Sequence, residues 1–536
     1  MSRQTIIAAA VLGCVLFAQG AEAQTRERRV RIQPHIDASQ VVAMDFNGGD
    51  VLTYSTVGAG VDVEAHTRRV QVQISYNYTH NFDYQTKLNN TSNHSGLATV
   101  RAAVVPGFTI EAGGIAARTR NDIRGDAITT TQGNLSNSSQ VYSAYVGPSV
   151  ATHLGPIFIN SAYRFGYTKV EAPGQTGVDP TQPRLDYFDD SKVHVATASV
   201  GVKSGAVLPI GVTASGSITR EDAGQLDQRF TGKFGRGDAV LPIGRTFALA
   251  GGVGWEQIQI SQRDPLRDAG GNPIVDGAGR FRTDPTSPRR LAYNFDGLFW
   301  DAGVIWKPSP RTFLEARVGK RYGSWSYTGS FSYQSGRGSA IQIGAYDSVQ
   351  TFGQQTNGAI AALPSSFATN ADPLGNQFGG CTYGGNGGGA GTCLTGVFAS
   401  AATSAYRSRG VTGVAVMGRG GTRIGIGGGY ARRDFIAPNT GTGFTTNGTS
   451  DESYYAQLFA STPVGRSGSL QGALIGNYYD TDVPGNDGVY GWGANAAYTH
   501  RFGKLGAMIS AGVFGFERDG DSSASAQGLV GLRYGF

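Results

Sequence analysis

The chain contains 536 residues with a formal net charge of +6 at pH 7, and 40% of its residues are hydrophobic while 16% are charged. The 81 glycines, 24 tyrosines and 26 phenylalanines argue against a disordered chain, and the modest hydrophobic content argues against a large soluble core. The small positive charge gives no indication of nucleic-acid binding. Many aromatic residues and glycines at modest hydrophobicity are typical of a transmembrane β-barrel, because an alternating pattern averages out along each strand.

The first residues have the pattern of a secretory signal peptide. Arg3 supplies a positive charge, residues 6–18 form an apolar stretch, and Ala21-Glu22-Ala23 is a cleavage site of the A-x-A type. Cleavage before Cys14 as a lipoprotein is the alternative, but apolar residues continue beyond Cys14, which favours the later site. The predicted organisation is a signal peptide at 1–23, a short periplasmic segment at 24–34 and one barrel domain at 35–536.

Residues 70–82, VQVQISYNYTHNF, show the clearest secondary-structure pattern. Apolar and aromatic residues occupy the even positions, with His80 as the exception, and polar residues occupy the odd positions. Residues 488–502, GVYGWGANAAYTHRF, repeat this alternation near the C-terminus. A period of two predicts β-strands with one face toward lipid, whereas a helix would space apolar residues three and four apart. Aromatic residues at both ends of one face are typical of the girdles of membrane barrels.

Short and long connections alternate between these strands. Short turns are expected at sites such as 106–107, 154–156 and 502–506, and most of the stretches between them are longer and polar, as at 171–190 and 262–294. The pattern predicts an all-β fold, a transmembrane antiparallel up-and-down β-barrel of about 22 strands (roughly 18 to 24), with short periplasmic turns and long extracellular loops. The expected location is the outer membrane of a Gram-negative cell, where outer-membrane lipid and lipopolysaccharide are the surrounding partners.

Charged residues on the predicted inner face are the candidate pore-lining residues, because a charge facing lipid at mid-membrane would cost ~2–4 kcal/mol. They are Arg101, Arg164, Glu315, Arg317, Arg321, Arg407, Arg409 and Arg423. Rings of arginine favour anions in a pore. The alternative is that these arginines pair with inward acids such as Glu315 and only fill a polar lumen, and the sequence leaves both interpretations open.

Residues 306–338, WKPSPRTFLEARVGKRYGSWSYTGSFSYQSGRG, contain a Pro-x-x-Arg-Thr turn at Pro308, a Gly-Lys-Arg-Tyr element at 319–322 and an aromatic-alternating strand at 325–333. This stretch resembles the hallmark of an outer-membrane β-barrel family associated with exopolysaccharide gene clusters and PEP-CTERM sorting systems, although Lys320 stands where Arg is expected. The resemblance implies a pore or accessory protein in the export of an acidic exopolysaccharide, with an export apparatus as partner. The alternatives are a structural or assembly protein without flux and a general anion-preferring porin.

Residues 350–403 form the longest predicted loop and contain Cys381 and Cys393. In an oxidising compartment a close cysteine pair predicts a disulfide, with free thiols or a half-site for metal as the alternative. The loop is rich in small residues, so we expect it to fold inward and constrict the lumen against Arg317, Arg321, Arg407 and Arg409, unless it stays mobile on the surface. A TonB-dependent receptor with an N-terminal plug is not expected, because only the short segment at 24–34 precedes the first predicted strand.

No pattern in the sequence predicts an enzyme, a cofactor or a metal site. The seven histidines are scattered, and neither an H-E-x-x-H motif nor a G-x-S-x-G motif occurs. The glycine run at 384–391 lacks the lysine that follows a phosphate-binding loop, so a flexible loop is the better interpretation.

The C-terminus ends on an aromatic residue with alternating apolar residues before it, at Val530, Leu532, Tyr534 and Phe536. A terminus is usually polar and frayed, so this pattern predicts a final strand that pairs with the first strand and closes the barrel. Tyr534 and Phe536 also resemble the signal read by the barrel-assembly machinery. The alternative is the edge strand of a soluble protein.

Overall fold

The computed structural model describes residues 29–84, 92–125, 137–171, 178, 187–335, 338–364, 366–372, 374, 377–384, 390–438, 446–483, 485–486, 488–518 and 520–536. The predicted signal peptide and its cleavage site lie outside the described residues. Within them, no helix has the length and apolar character needed to cross a membrane.

Strands dominate the described chain. The wall strands are β1 (Arg29–Asp45), β2 (Val51–His66), β3 (Val70–Asp83), β4 (Ser92–Val105), β5 (Phe108–Arg120), β6 (Ser138–Leu154), β7 (Ile157–Val170), β8 (Asp190–Val202), β9 (Gly211–Ala223), β10 (Arg229–Pro242), β11 (Phe247–Gln262), β12 (Arg290–Ser309), β13 (Thr312–Arg321), β14 (Ser324–Gln334), β15 (Ala340–Gln350), β19 (Ala405–Arg419), β20 (Thr422–Ile436), β21 (Ser450–Val464), β22 (Gly468–Thr481), β23 (Val489–Phe502), β24 (Leu505–Arg518) and β25 (Asp521–Gly535). Between β15 and β19 lie α1 (Phe352–Ala361), β16 (Phe367–Asp372), β17 (Gln377–Gly384) and β18 (Gly391–Cys393). A short 3-10 turn, Gln225–Asp227, precedes β10.

The wall strands form one closed 22-stranded antiparallel sheet in which each strand pairs with its neighbours in the wall order. The last strand pairs with the first, from His35 opposite Gly535 to Asp45 opposite Ser525, so the sheet has no free edge. Closure satisfies the backbone hydrogen bonds that lipid cannot satisfy. The predicted fold class and strand number are confirmed, although β1 begins at Arg29 and not near His35.

The turn pattern also follows the prediction at one end of the barrel. Connections such as 106–107, 155–156 and 503–504 are tight, and Gly107 and Gly503 take the positive φ angles, 81° and 68°, that such turns favour in glycine. At the other end most connections are long, but β13 and β14 join through Tyr322 and Gly323 alone. Both residues have positive φ, 53° and 74°. The β13–β14 hairpin is therefore a short element among longer neighbours.

The outer face of the wall is apolar and bordered by aromatic rings. Leu298 is 77% exposed and Tyr327 65% exposed, whereas Thr79 and Asn81 on the inner face of β3 are buried. Four tyrosines near the end of the barrel that bears the long loops stand side by side, with successive ring centroids 4.8, 6.1 and 4.3 Å apart; they are Tyr430, Tyr454, Tyr478 and Tyr490. Phe502 and Phe536 are each 63% exposed at the opposite end. Exposed apolar side chains between aromatic girdles are the surface that a lipid bilayer covers.

The described residues of the segment 351–404 fold into the barrel, and we call this segment the insert. Its α1 helix places Phe352 and Ile360 in one buried cluster with Leu97 and Val141, which belong to the inner faces of β4 and β6. Its strands β16, β17 and β18 form a separate small sheet. The main hydrophobic core therefore lies between the insert and one side of the wall. The expectation that this segment folds inward is confirmed.

Candidate functional site

The lumen has two different sectors. In one sector the insert packs against the wall, and in the other a set of charged side chains lines the inner faces of β10 to β13. We call that set the ion-pair ladder; its members are Arg236, Asp238, Glu256, Asp301, Glu315, Arg317 and Arg321. Strand alternation places them inward, because the residues between them, such as Val253 and Trp300, are exposed on the outer face.

The lower part of the ladder consists of two arginines among three carboxylates. Arg236 lies 2.6 Å from Asp238 Oδ1 (Nη2) and 2.6 Å from Asp301 Oδ2 (Nη1). Arg317 Nη1 lies 2.9 Å from both Asp238 Oδ1 and Asp301 Oδ1, and its Nε lies 2.6 Å from Glu315 Oε1. These side chains are 14–30% exposed, so each polar group is held in place yet still reaches the lumen.

The upper part of the ladder combines a bidentate ion pair with aromatic rings. Arg321 donates from Nε to Glu256 Oε2 at 2.8 Å and from Nη2 to Glu256 Oε1 at 2.7 Å. Its guanidinium carbon lies 5.2 Å from the Phe299 ring centroid and 4.9 Å from that of Tyr322. Phe234 stacks on Phe299 with centroids 5.4 Å apart. The arrangement is a planar cation on an aromatic surface, which orients the guanidinium as well as stabilising it.

Arg407 and Arg409 do not face the lumen as the sequence predicted. They share a face of β19 with Val411 and Met417, which are 45% and 62% exposed, whereas Tyr406 on the opposite face is fully buried. Arg409 pairs on the outer face with the carboxylate of Asp434. The prediction was wrong because the register along β19 was placed one residue out, and a shift of one residue exchanges the two faces.

Arg407 nevertheless joins the ladder at its upper end. β14 pairs with β15 over six residue pairs only, up to Gly329 opposite Ala345, so β15 and β19 continue above the short β13–β14 hairpin. There Arg407 pairs with Asp347 at 2.6 Å and donates to Ser324 Oγ at 2.6 Å. Its guanidinium carbon lies 5.2 Å from the Tyr322 ring, which is thereby placed between Arg407 and Arg321. Arg407 and its partners therefore connect β14 to β15 and β19 where the β14–β15 strand pairing has ended.

The remaining predicted lumen residues face inward but lie apart from the ladder. Arg101 lies 3.1 Å from Glu111 on the neighbouring strand β5, and Arg164 lies over the ring of Tyr145 at 5.8 Å. Arg423 shares the inner face of β20 with Gly427, where the insert approaches the wall. The structure therefore brings Glu315, Arg317 and Arg321 together and leaves the others as separate positions.

Different arginines from the predicted ones hold the insert. Arg433 is 1% exposed, pairs with Asp451 through Nε at 2.9 Å and donates from Nη1 to the carbonyl of Ser400 at 2.9 Å. Arg120 lies 4.4 Å from the Tyr479 ring, and its carbonyl accepts from the amide of Ala401 at 2.8 Å. The expected constriction against Arg317, Arg321, Arg407 and Arg409 is therefore wrong. The described part of the insert packs instead against β4 to β7 and against β15, β19 and β21.

The start of the insert is fixed to β9. Glu221 is 1% exposed, faces inward and accepts a hydrogen bond from the hydroxyl of Thr351. Thr351 is also the N-cap of α1, since its Oγ1 accepts from the amide of Gln354 at 3.2 Å. Gly353 leaves room beside this contact, because a Cβ there would lie 2.2 Å from Ser191 Oγ and 2.6 Å from Glu221 Oε1. The helix therefore enters the lumen at one defined point.

The disulfide between Cys381 and Cys393 is present and lies against the wall. A Cβ on Gly427 of β20 would lie 2.4 Å from Cys393 Sγ, so glycine is needed for this close approach. Beside it the ring of Tyr383 stacks on Phe459 with centroids 5.5 Å apart, and burial raises the pKa of Tyr383 to about 12. Within the described parts of the chain, no group of three or more His, Cys, Asp or Glu side chains could hold a metal ion.

Sequence reasoning missed Arg236, Asp238, Glu256 and Asp301, which complete the ladder. A partial signal was present, because all four lie on the inner face of strands whose outer face carries apolar residues. In β11, for example, Glu256 falls between the outward residues Trp255 and Gln257. Glycines and inward aromatic residues blur the alternation on these strands, and only cross-strand register shows that the four side chains meet.

A closed antiparallel wall, an apolar exterior between aromatic girdles and a polar lumen together define a membrane-spanning β-barrel protein. Comparison with protein-family models finds no match, and comparison with curated proteins finds none at significant similarity. Among solved structures, the chain is similar to the FrpB iron transporter of Neisseria meningitidis, at 10% identity, covering 96% of this chain and 82% of that one with a TM-score of 0.44. It is likewise similar to the ferric-catecholate import receptor Fiu of E. coli K12, at 10% identity, covering 96% of this chain and 82% of that one with a TM-score of 0.42. The siderophore receptor PiuA of Acinetobacter baumannii is similar at 8% identity, with the same two coverages and a TM-score of 0.43. The class rests on the chain's own topology.

Proposed function

We propose that the protein is an outer-membrane barrel that takes part in the export of an exopolysaccharide, which moves through the sector of the lumen lined by the ion-pair ladder. The location is supported by the signal-peptide pattern, the apolar exterior and the terminal strand. In that strand Tyr534 lies opposite Ile36, and the amide of Phe536 donates to the carbonyl of Pro34 at 3.1 Å. The barrel-assembly machinery is the partner that this C-terminal pattern implies.

The chemistry of the ladder is the observation that carries the proposal. Carboxylates accept hydrogen bonds from sugar hydroxyls, and guanidinium groups donate hydrogen bonds to the oxygen atoms of the same hydroxyls. The apolar faces of sugar rings pack on aromatic side chains. The ladder offers all three groups in one strip, with Asp301 and Arg317 below and the half-buried ring of Tyr322 above. Because every charged group is already oriented by a partner, the strip can exchange one hydroxyl for the next without reorganising.

The charge balance of the ladder supports a glycan of low charge density more than the acidic one expected from the sequence. Three arginines face four carboxylates, and each arginine is paired. Paired arginines attract a free anion weakly, so a general anion-preferring porin is the less favoured alternative. The stretch that resembles the exopolysaccharide-associated family supplies Glu315, Arg317 and Arg321, which connects the resemblance to the ladder itself.

A second candidate is a structural or assembly protein without flux. It is favoured by the insert, which fills part of the lumen with a buried hydrophobic core and is held through Ser400 by the buried Arg433–Asp451 pair of the wall. A segment anchored in this way reduces the free cross-section of the barrel. The two candidates differ in whether the ladder sector must stay open.

Blocking that sector distinguishes the two candidates. Ser330 lies opposite Glu315 on the inner face of β14 and is exposed to the lumen, whereas Tyr327 is 65% exposed on the outer face of the same strand. In a strain lacking the gene, we expect loss of surface polysaccharide that is restored by the wild-type gene and by Tyr327→Trp but not by Ser330→Trp. Restoration by Ser330→Trp at wild-type protein level would favour the structural role. Unchanged polysaccharide in the gene deletion would reject export altogether.

A further inference from the structure

The outer surface above the lipid-facing band is charged unevenly around the barrel. A group of cations faces outward near the ends of β8, β9 and β10 that bear the long loops, and Arg289, in the connection before β12, joins it. We call this group the outer basic patch; its members are Lys192, Arg220, Arg229, Lys233 and Arg289. Cross-strand register brings them together, since Lys192 and Arg229 both lie opposite Asp222, and Lys233 lies opposite Ile218.

The patch lies directly above apolar surface. Ile218, on the same face of β9 as Arg220, is 60% exposed, and Tyr163 and Trp255 on flanking strands are 41% and 39% exposed. The hydroxyl of Tyr163 lies 2.8 Å from Nδ1 of His194, which is two residues from Lys192 on the same face of β8. Aromatic side chains mark the boundary between hydrocarbon and headgroups, so the cations lie at headgroup level.

Cations outnumber acids within the patch. Arg220 and Arg229 share one carboxylate, that of Asp222, at 2.9 and 2.6 Å, and remain 53% and 40% exposed. Arg289 donates to the carbonyl of Asp227 at 2.5 Å, and burial together with the cation of Arg229 lowers the pKa of Arg289. Like charges are held close together here, and an external anion would relieve their repulsion.

The corresponding level on the other side of the barrel is balanced. On the outer faces of β19 to β21, Arg409 and Arg432 pair with Asp434 and Glu452. The Arg432 contacts measure 3.0 Å to Asp434 and 2.6 Å to Glu452. Aromatic side chains lie beneath both groups, so the excess positive charge on β8–β10 is not a general property of the rim.

We infer that the outer basic patch binds the phosphorylated headgroup of an outer-leaflet lipid, with the acyl chains of that lipid resting on Ile218, Tyr163 and Trp255. This inference rests on the proposed outer-membrane location. The occupant is a lipid and not a free anion, because the cations continue directly into exposed apolar surface that only an amphiphile would cover. Each basic residue near a membrane surface contributes about fivefold to the affinity for an anionic lipid.

The test measures binding of bisphosphorylated lipid A to the full-length protein in detergent, by native mass spectrometry with titration. We expect Arg220→Gln/Arg229→Gln to weaken binding by roughly 25-fold, two contributions of about fivefold each. The matched control Arg409→Gln/Arg432→Gln, in the balanced cluster, should leave it unchanged. Circular dichroism and heat-modifiable migration on gels verify that each variant is a folded barrel.

Two further arms identify the source of the phosphate. Lipid A without phosphates should bind the wild type at least as weakly as lipid A binds the Arg220→Gln/Arg229→Gln variant, because that variant keeps three of the five cations. Inorganic phosphate at millimolar concentration should fail to displace bound lipid A. Equal binding of both lipids, equal weakening by the two double variants, or full displacement by inorganic phosphate would each overturn the inference. Soluble recovery of the protein from cells would instead reject the proposed location, so the two failures are distinguishable.

Discussion

Replacing Arg433 with methionine should release the insert from the wall. Arg433 is 1% exposed, and its ion pair with Asp451 and its hydrogen bonds to Ser400 connect β20 to the insert. Removing one partner of a buried ion pair leaves an uncompensated charge and costs about 3–5 kcal/mol. Because the contact lies between wall and insert, most of this cost falls on docking of the insert, which raises its undocked population by roughly 10²- to 10³-fold.

Hydrogen exchange followed by mass spectrometry measures this effect directly. We expect faster exchange in the peptides that contain Phe398 and Ala401, with wall strands such as β24 unchanged. The double variant Arg433→Met/Asp451→Leu should recover much of the protection, because two apolar residues leave no unpaired charge. Arg432→Met is the matched control. Arg432 is adjacent to Arg433 in the chain but faces outward, and each of its exposed ion pairs is worth about 0–1 kcal/mol. Unchanged exchange in Arg433→Met, in a barrel that still shows heat-modifiable migration, would refute the anchoring role.

Three other predictions follow from the same contacts. Unreduced protein should resist thiol labelling at Cys381 and Cys393, and labelling of both cysteines would contradict the disulfide. The variant Cys381→Ser/Cys393→Ser should lower the protection of the insert against hydrogen exchange by about 3 kcal/mol, as expected for a short closed loop. Asp301→Asn removes the carboxylate shared by Arg236 and Arg317, so planar-bilayer measurements on a variant lacking residues 353–402 should show a shift toward anions, and an unshifted reversal potential would contradict the lumenal position of the ladder. Deleting Phe536 should slow assembly, so that in pulse-chase experiments a larger fraction of the unheated protein migrates at the position of the unfolded chain. Assembly at the wild-type rate would contradict the role of Phe536 as an assembly signal.

Alternation along strands was sufficient to predict the fold. The period of two in residues 70–82 and 488–502 reflects a physical requirement, since every second side chain meets lipid, and the structure places Tyr490, Trp492 and Phe502 on that outer face. The tight turns at one end followed from the same pattern. The number of strands followed in turn, because each short turn joins one hairpin.

The lumen was harder to predict, because its contacts join residues distant in sequence. Arg317 meets Asp238 and Asp301 only after strands β10, β12 and β13 are in register. The insert was correctly expected to fold inward from its small residues, but the side on which it packs depends on Phe352 and Ile360 meeting apolar residues of β4 and β6. Arg407 and Arg409 show the sensitivity of barrel arguments to register, since an error of one residue reverses the face.

The most direct test of export through the ladder sector is photo-crosslinking in cells that are secreting polysaccharide. A photoreactive phenylalanine analogue at position 330 replaces Ser330 opposite Glu315, and the same group at position 327 replaces the outward Tyr327. We predict that position 330 forms adducts carrying the cell's polysaccharide and that position 327 forms none. Polysaccharide adducts absent from position 330 in a strain whose secretion is intact, or equal at both positions, would contradict passage of the glycan along the ion-pair ladder.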